Sequence, residues 1–134
     1  MSIRRTHNSI KQNEQGQTMT EFALVLPLLC VLLFGVIQFG ILYNNYVNLT
    51  DAVRAGARKA AVSRHTDIVA EGRGAVERAA VDLDGSKLEI EVSAPVVEHG
   101  QDVTVTAKYP YEIKLLDWAV FSGKLKSTTT ERIE

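Results

Sequence analysis

Residues 22–43 read Phe-Ala-Leu-Val-Leu-Pro-Leu-Leu-Cys-Val-Leu-Leu-Phe-Gly-Val-Ile-Gln-Phe-Gly-Ile-Leu-Tyr. Only Gln38, which is uncharged, interrupts the apolar run. As a helix with a rise of about 1.5 Å per residue, the block spans roughly 33 Å. The hydrocarbon core of a bilayer is about 30 Å thick. The block is apolar on every side, and so small a chain has no means of covering such a helix with protein. It reads as a single transmembrane helix. Pro27 and Gly35 are both tolerated in such helices. Cys30, mid-block, is an apolar filler, too deep for the boundary position that lipidation prefers.

A secretory signal peptide is disfavoured. Its apolar region is shorter, about 7–15 residues, and a small-residue cleavage site follows at once. Here Asn44-Asn45-Tyr46 follows, and the first small-x-small candidate is the distant Ala55-Gly56-Ala57. The positive charges on the two flanks do not decide the orientation: Arg4, Arg5 and Lys11 precede the block, and Arg54, Arg58 and Lys59 follow it.

The whole chain has 134 residues, a net charge of −1 and one cysteine. This length suits one domain. The balanced charge gives no basic field for nucleic acid. A single cysteine excludes an intrachain disulfide framework and a cysteine-based zinc cluster. A mean hydropathy of −0.01 hides three unlike parts: a basic leader, the apolar block and a polar remainder.

The leader, residues 1–16, carries Arg4, Arg5 and Lys11 against Glu14. Nothing apolar recurs in it at helical or strand spacing, so it is expected to be disordered on its own. It ends in Gly16-Gln17-Thr18-Met19-Thr20-Glu21 and runs straight into the block. Glu21 is the exception to the apolar rule. A carboxylate at the edge of a membrane helix is costly to bury and normally pairs with something or stays at headgroup level in contact with water.

A short basic leader ending in glycine, a glutamate five residues on and then an apolar helix resemble the prepilin processing site of type IV pilins and pseudopilins. E-F-A-L-V-L-P-L-L, the glycines Gly35 and Gly40, and A-V-R-A-G-A-R-K-A-A resemble the TadE-like family of pseudopilins of the tight adherence (Flp pilus) system. The resemblance continues at G-Q-D-V-T-V-T-A-K-Y-P-Y and S-T-T-T-E-R-I-E. It implies cleavage between Gly16 and Gln17 by a membrane prepilin peptidase on the cytoplasmic side. It implies an assembly role for Glu21, and helix packing at Phe22, Pro27, Gly35 and Gly40. The implied partners are the membrane, that peptidase, a pilus assembly platform, and a major pilin or other pseudopilins. The implied location is the bacterial cytoplasmic (inner) membrane, N-terminus inside, with possible entry into the pilus.

The chemistry supports such a role for Glu21. Cleavage creates an α-amino group at Gln17, and residues four apart share a helix face. A cation and a carboxylate in an apolar zone are each costly unless paired. Glu21 is placed to neutralise that amine, its own or a neighbour's.

Residues 44–134 form the extracytoplasmic part. Helix continues past the membrane, with Tyr46, Leu49, Val53, Gly56, Ala57 and Ala60 on one face. Its small residues permit close backbone approach. Arg54, Arg58 and Lys59 read as a solvated face rather than a lipid-binding one. Ser63-Arg64-His65-Thr66-Asp67 offers capping residues, marking a break or a bend. A second helix is expected from about Asp67 to Val81, with Val69, Gly72, Val76, Ala79, Ala80 and Leu83 inward. Gly72 and Gly74 weaken it by about 1 kcal/mol each. Asp84-Gly85-Ser86 has turn chemistry.

The period then switches to two. Leu88, Ile90 and Val92, and then Val103, Val105, Ala107 and Tyr109, alternate with polar residues, as in an antiparallel pair buried on one face. The connection is Pro95–Gln101, turning at Glu98-His99-Gly100. Pro110 ends the second strand or puts it at an edge. Ile113–Phe121 is expected to be a loop or brief helix packed on the sheet, the membrane surface being the other possibility. Lys124–Ile133, with its threonine run, reads as a third strand. The fold class is α+β and pilin-like: a long N-terminal helix, a second short helix and about three antiparallel strands. The resemblance implies the same plan.

Catalytic signals are weak. Asp82 and Asp84 are simpler as a helix end and a turn. His65 with Asp67, and His99 beside Glu98, read as lone surface residues. There is no Cys–His nucleophile pair and no phosphate-cradling glycine motif. No enzyme activity, cofactor, metal, nucleic acid or small-molecule substrate is expected. The expected function is a minor pilin or pseudopilin subunit acting in pilus assembly and adhesion. The alternative is an uncleaved single-pass anchor whose ectodomain binds an envelope partner.

Overall fold

A computed structural model describes residues 7–63, 67–94, 100–115 and 118–134; of residues 7–15, 115 and 118–120 only the backbone is described. The elements in chain order are helix α1 (His7–Val62), helix α2 (Ile68–Ala79), a 3-10 turn (Gly85–Lys87) and strands β1 (Glu89–Ser93), β2 (Asp102–Leu115) and β3 (Trp118–Arg132). The strands form one antiparallel sheet in the order β1-β2-β3. The α+β plan of a long helix, a short helix and three antiparallel strands therefore stands. The chain divides into two compact units, Met1–Gln38 and Phe39–Glu134.

In the first unit α1 already begins at His7, so residues 7–16 of the leader are helical where disorder was expected. From Gly16 to Ile37 every residue of α1 is exposed. Leu24 is 76% exposed and Leu28 69%. Pro27 sits inside the helix without ending it. Among the described residues, one helix is long and apolar enough to cross a membrane.

The second unit has the core. Its α1 part turns Leu49, Ala52, Val53, Gly56, Ala57, Ala60 and Ala61 inward. They recur at three- and four-residue steps, so they share one face. Tyr46, expected on that face, is 44% exposed. Leu49, Val53, Ala57, Val76, Ala80, Leu83, Leu88, Val105 and Ala107 pack in one cluster. Ala60, Ala61, Ile68, Val103 and Ile133 pack in a second. Burying a valine or leucine completely is worth about 1.5–3 kcal/mol, so Leu49, Val53, Val76, Val103 and Val105 anchor this unit.

Helix α2 starts where its cap dictates. The Asp67 side chain accepts hydrogen bonds from Val69 N and Ala70 N at 3.1 and 3.3 Å. Ile68, Gly72, Val76 and Ala80 then face inward. Val69 and Ala79, expected inside, are exposed. The glycines that weaken the helix have a use: a Cβ on Gly72 would lie 3.1 Å from the Ala60 Cβ. Close approach of α1 and α2 leaves no room for larger side chains there.

The sheet buries Val103, Val105 and Ala107 on one face. On the other, Thr104 pairs with Thr130 and Thr106 with Thr128 through their hydroxyls, at 2.9 and 3.0 Å. Strand β1 pairs with β2 only from Glu89↔Lys108 to Ser93↔Thr104. Strand β2 continues through Pro110 to Leu115, and β3 starts at Trp118 rather than Lys124. Pro110 thus lies where β2 has an open edge, the second of its two expected placements. The helix or loop expected over Ile113–Phe121 is instead a two-stranded ribbon, with Ile113 opposite Phe121 and Leu115 opposite Trp118. The expected turn at Glu98-His99-Gly100 lies outside the described residues except for Gly100, whose φ of 83° suits glycine.

Candidate functional site

The segment from Gly16 to Glu21 stands in the first unit as exposed helix. A Cβ built on Gly16 would have no atom within 4 Å. The Thr20 hydroxyl donates to the Gly16 carbonyl oxygen at 2.9 Å. One turn along, the Gln17 side-chain amide donates to Glu21 Oε1 at 3.1 Å. The Gly16–Gln17 peptide is therefore open to approach from outside, and the Glu21 carboxylate reaches back along the face that carries residue 17.

This arrangement follows from helix periodicity alone. Residues i and i+4 are neighbours on the surface, so a carboxylate at position 21 is held beside whatever position 17 presents. Here that group is an amide. If the chain begins at Gln17, the same residue also carries an α-ammonium, and a hydrogen bond from that group to a carboxylate is charge-assisted, roughly twice as strong as a neutral one.

The residues expected to pack helices are distributed along the apolar stretch. Phe22 is 59% exposed. Gly35 and Gly40 have nothing within 4 Å of a built Cβ, so each leaves a notch in the helix surface. Small residues let helix backbones approach closely in a membrane. Cys30 is a free, exposed thiol.

Elsewhere the singled-out polar residues have structural roles. Asp82 accepts from Asn48 Nδ2 at 3.3 Å. Asp84 caps the 3-10 turn, accepting from Ser86 N and Oγ at 3.0 and 2.6 Å. Those two bonds, with Lys87 nearby, hold its carboxyl below the usual range. Glu89 is likewise lowered by the Lys124 ammonium that donates to it. Asp67 is the α2 cap, and His65 and His99 lie outside the described residues. Among the described residues, no three His, Cys, Asp or Glu side chains gather as metal ligands.

Arg54, Arg58 and Lys59 line an open groove of about 680 Å³ with Val62, Thr129 and Glu131. Arg54 pairs with Asp51 at 3.7 Å and Lys59 with Glu71 at 3.9 Å, both at solvent-exposed positions. Exposed pairs of this kind are worth little, as befits a solvated helix face. What sequence reasoning missed is the β2–β3 ribbon. The alternation at Tyr111, Ile113 and Leu115 is its only local signal, and Leu116-Asp117 contains none of the usual glycine turn chemistry.

A family model described as TadE-like protein matches residues 16–58. The match opens at Gly16, takes in Glu21 and the whole apolar block, and ends on the α1 face that packs into the core. Comparison with curated proteins and with solved structures gives no match.

Proposed function

We propose that this chain, TadE-like over residues 16–58, is a non-enzymatic minor pilin or pseudopilin subunit of a tight adherence (Flp-type) pilus or a related secretion machinery. It is made as a membrane precursor and cleaved between Gly16 and Gln17. It acts through helix packing in pilus assembly and adhesion. The single observation that carries this reading is the match that starts at Gly16, with the Glu21 carboxylate already turned to residue 17.

In this reading the apolar stretch from Phe22 holds the precursor in the cytoplasmic membrane. Residues 1–16 face the cytoplasm, where a prepilin peptidase meets the exposed Gly16. Residues 44–134 lie on the other side. Cleavage turns Gln17 into a terminal ammonium that is costly in an apolar setting, and Glu21 offsets that cost. When the helix packs against neighbours, an unpaired carboxylate or ammonium penalises every register but one. Phe22, Pro27 and the notches at Gly35 and Gly40 shape the packing surface. The partners are the peptidase, the assembly platform, and a major pilin or other pseudopilins.

The test is the N-terminus of the protein purified from its own host. Intact-mass analysis is expected to give a chain beginning at Gln17. A chain that keeps residues 1–16 in the presence of an active prepilin peptidase overturns the proposal and leaves a single-pass anchor with a partner-binding ectodomain.

A further inference from the structure

Strand β3 stands at one side of the sheet and has β2 as its one neighbour. In an antiparallel pair, residues that bond the facing strand alternate with residues that turn N–H and C=O away from it. The phase is fixed at Ile133, whose N–H donates to Gln101 O at 2.8 Å. Counting back by twos, Glu131, Thr129, Ser127 and Leu125 bond to β2. Lys126, Thr128 and Thr130 therefore turn their N–H and C=O groups outward. Pro110, which has no N–H, sits opposite Lys124 in this same outward phase, where no bond to β3 is required of it. Among the described residues no backbone group meets these outward groups. An open edge of this kind is a template for a further strand.

Beside it lies the groove that Arg54, Arg58, Lys59 and Val62 of α1 form with Thr129 and Glu131 of β3. Thr129 and Glu131 are on the helix side of the strand, since their cross-strand partners Val105 and Val103 are buried. The whole groove belongs to the Phe39–Glu134 unit. Its charge is one-sided. Arg54 and Lys59 have only the exposed pairs at 3.7 and 3.9 Å, which exchange partners at little cost. Arg58 has no ion pair among the described residues. On the outward face of β3, Lys126 and Arg132 add to these cations, and Glu131 is the one acid of the strand.

We propose that the open edge of β3 takes up an extended acidic segment of another protein as a fourth strand, lying in the groove against α1. Backbone pairing with Lys126, Thr128 and Thr130 sets the register, and alternate carboxylates reach Arg54, Arg58 and Lys59. A second copy of β3 does not fit. A two-fold axis through the sheet brings residues of one face opposite residues of the same face. On the outward face these are Lys124, Lys126 and Arg132 with threonines; on the helix side they are Leu125, Ser127, Thr129 and Glu131. Neither set contains its own opposite charge, and like charges set across strands are destabilising. An anionic headgroup meets the cations but leaves the periodic N–H and C=O groups unused. The proposal stands apart from cleavage at Gly16, and concerns only what the ectodomain binds.

The probe is a fluorescent peptide, acetyl-Thr-Glu-Thr-Glu-Thr-Glu-Thr-amide, whose glutamates share one face of a strand. It is titrated against the full-length protein in maltoside micelles and followed by anisotropy. Two further peptides carry N-methyl groups, one on its threonine amides and the other on its glutamate amides. The parent is expected to bind. One methylated peptide is expected to match it and the other to bind about tenfold or more weakly, because a strand turns only alternate N–H groups to its neighbour. Arg58→Glu is expected to weaken the parent by a similar factor with circular dichroism unchanged, Arg58 being exposed. Amide exchange at Lys126, Thr128 and Thr130 is expected to slow in the complex. No binding of the parent at millimolar concentration overturns the proposal. Binding that both methylated peptides keep is charge capture without strand addition, and overturns it too. Loss of peptide binding when phosphatidylglycerol enters the micelles gives the groove to anionic lipid. Exchange at the same amides that slows with protein concentration alone gives the edge to a second copy. Either result overturns the proposal.

Discussion

Val76 occupies the place a side chain on Gly56 would need. A Cβ built on Gly56 falls on the Val76 Cγ2 atom and lies 3.0 Å from the carbonyl oxygen of Gly72. Both neighbours are buried, and one is backbone. Overpacking a well-packed site costs typically about 1–3 kcal/mol. Gly56→Ala is expected to destabilise the Phe39–Glu134 unit by about that much, read as a lower urea midpoint in detergent. Gly72→Ala is expected to cost less. Its tightest neighbour is the Ala60 methyl at 3.1 Å, and alanine returns about 1 kcal/mol of helix propensity there.

Two leucines on one helix should answer very differently to the same change. Leu49 is 0% exposed and belongs to the main core cluster, whereas Leu32 is 63% exposed. Leu49→Ala removes core methyls and leaves a cavity, at a cost of about 2–5 kcal/mol. Leu32→Ala is expected to leave the denaturation midpoint of the sheet domain within experimental scatter. Urea titrations of both variants, followed by circular dichroism, check the contrast.

The comparison of sequence with structure turns on a few residues. The apolar block, the α1 face from Leu49 to Ala60 and the alternation at Val103–Ala107 were legible because each has one period and one buried side. The second helix was legible, with Gly72, Val76, Ala80 and Leu83 inward as expected and only Val69 and Ala79 outside. Val69 and Ile68 are both apolar and adjacent, and Ile68 is the one that shares a helix face with the buried Gly72 and Val76. Tyr46 extends its stripe in sequence but lies past the buried stretch that begins at Leu49, whereas Ala79 is exposed between the buried Val76 and Ala80. The Ile113–Phe121 ribbon was hidden because it lacks a glycine turn signature and because the adjacent apolar pair Leu115-Leu116 and the run Trp118–Phe121 mask a period of two. The amide-to-carboxylate contact at Gln17 and Glu21 was foreseeable in position from i to i+4 spacing. The openness around Gly16 required coordinates.

Acid should weaken the ectodomain through two carboxylates. Asp84 is held below its ordinary value chiefly by its hydrogen bonds to Ser86, and Glu89 chiefly by the Lys124 ammonium. A carboxyl lowered on folding adds stability above its unfolded range, about 3.9 for Asp and 4.3 for Glu. That contribution is lost as pH falls through the lowered folded value. Stability is therefore expected to be flat near neutrality and to decline below about pH 4. Asp84→Asn and Glu89→Gln should each shallow that decline. Urea midpoints measured for the full chain across this range, at fixed ionic strength, provide the check. A decline equally steep in both variants would assign it to other groups.

Glu21 and Gly16 separate processing from assembly. A side chain at Gly16 changes the residue that precedes the proposed scissile bond, so Gly16→Ala is expected to leave the precursor uncut, with residues 1–16 retained in the intact mass. Glu21 sits a full turn beyond that bond, and its carboxylate matters only once an ammonium exists at Gln17. Glu21→Ala is therefore expected to be cleaved normally and to fail in assembly, because the new charge then has no partner in an apolar setting. Glu21→Asp keeps the charge but shortens the reach, now 3.1 Å from the Gln17 amide. It should fall between the two. Intact mass reports cleavage, and co-purification with partner subunits from host membranes reports assembly. A Glu21→Ala chain that is cut and still assembles at the wild-type level would show that the amine is neutralised by another group.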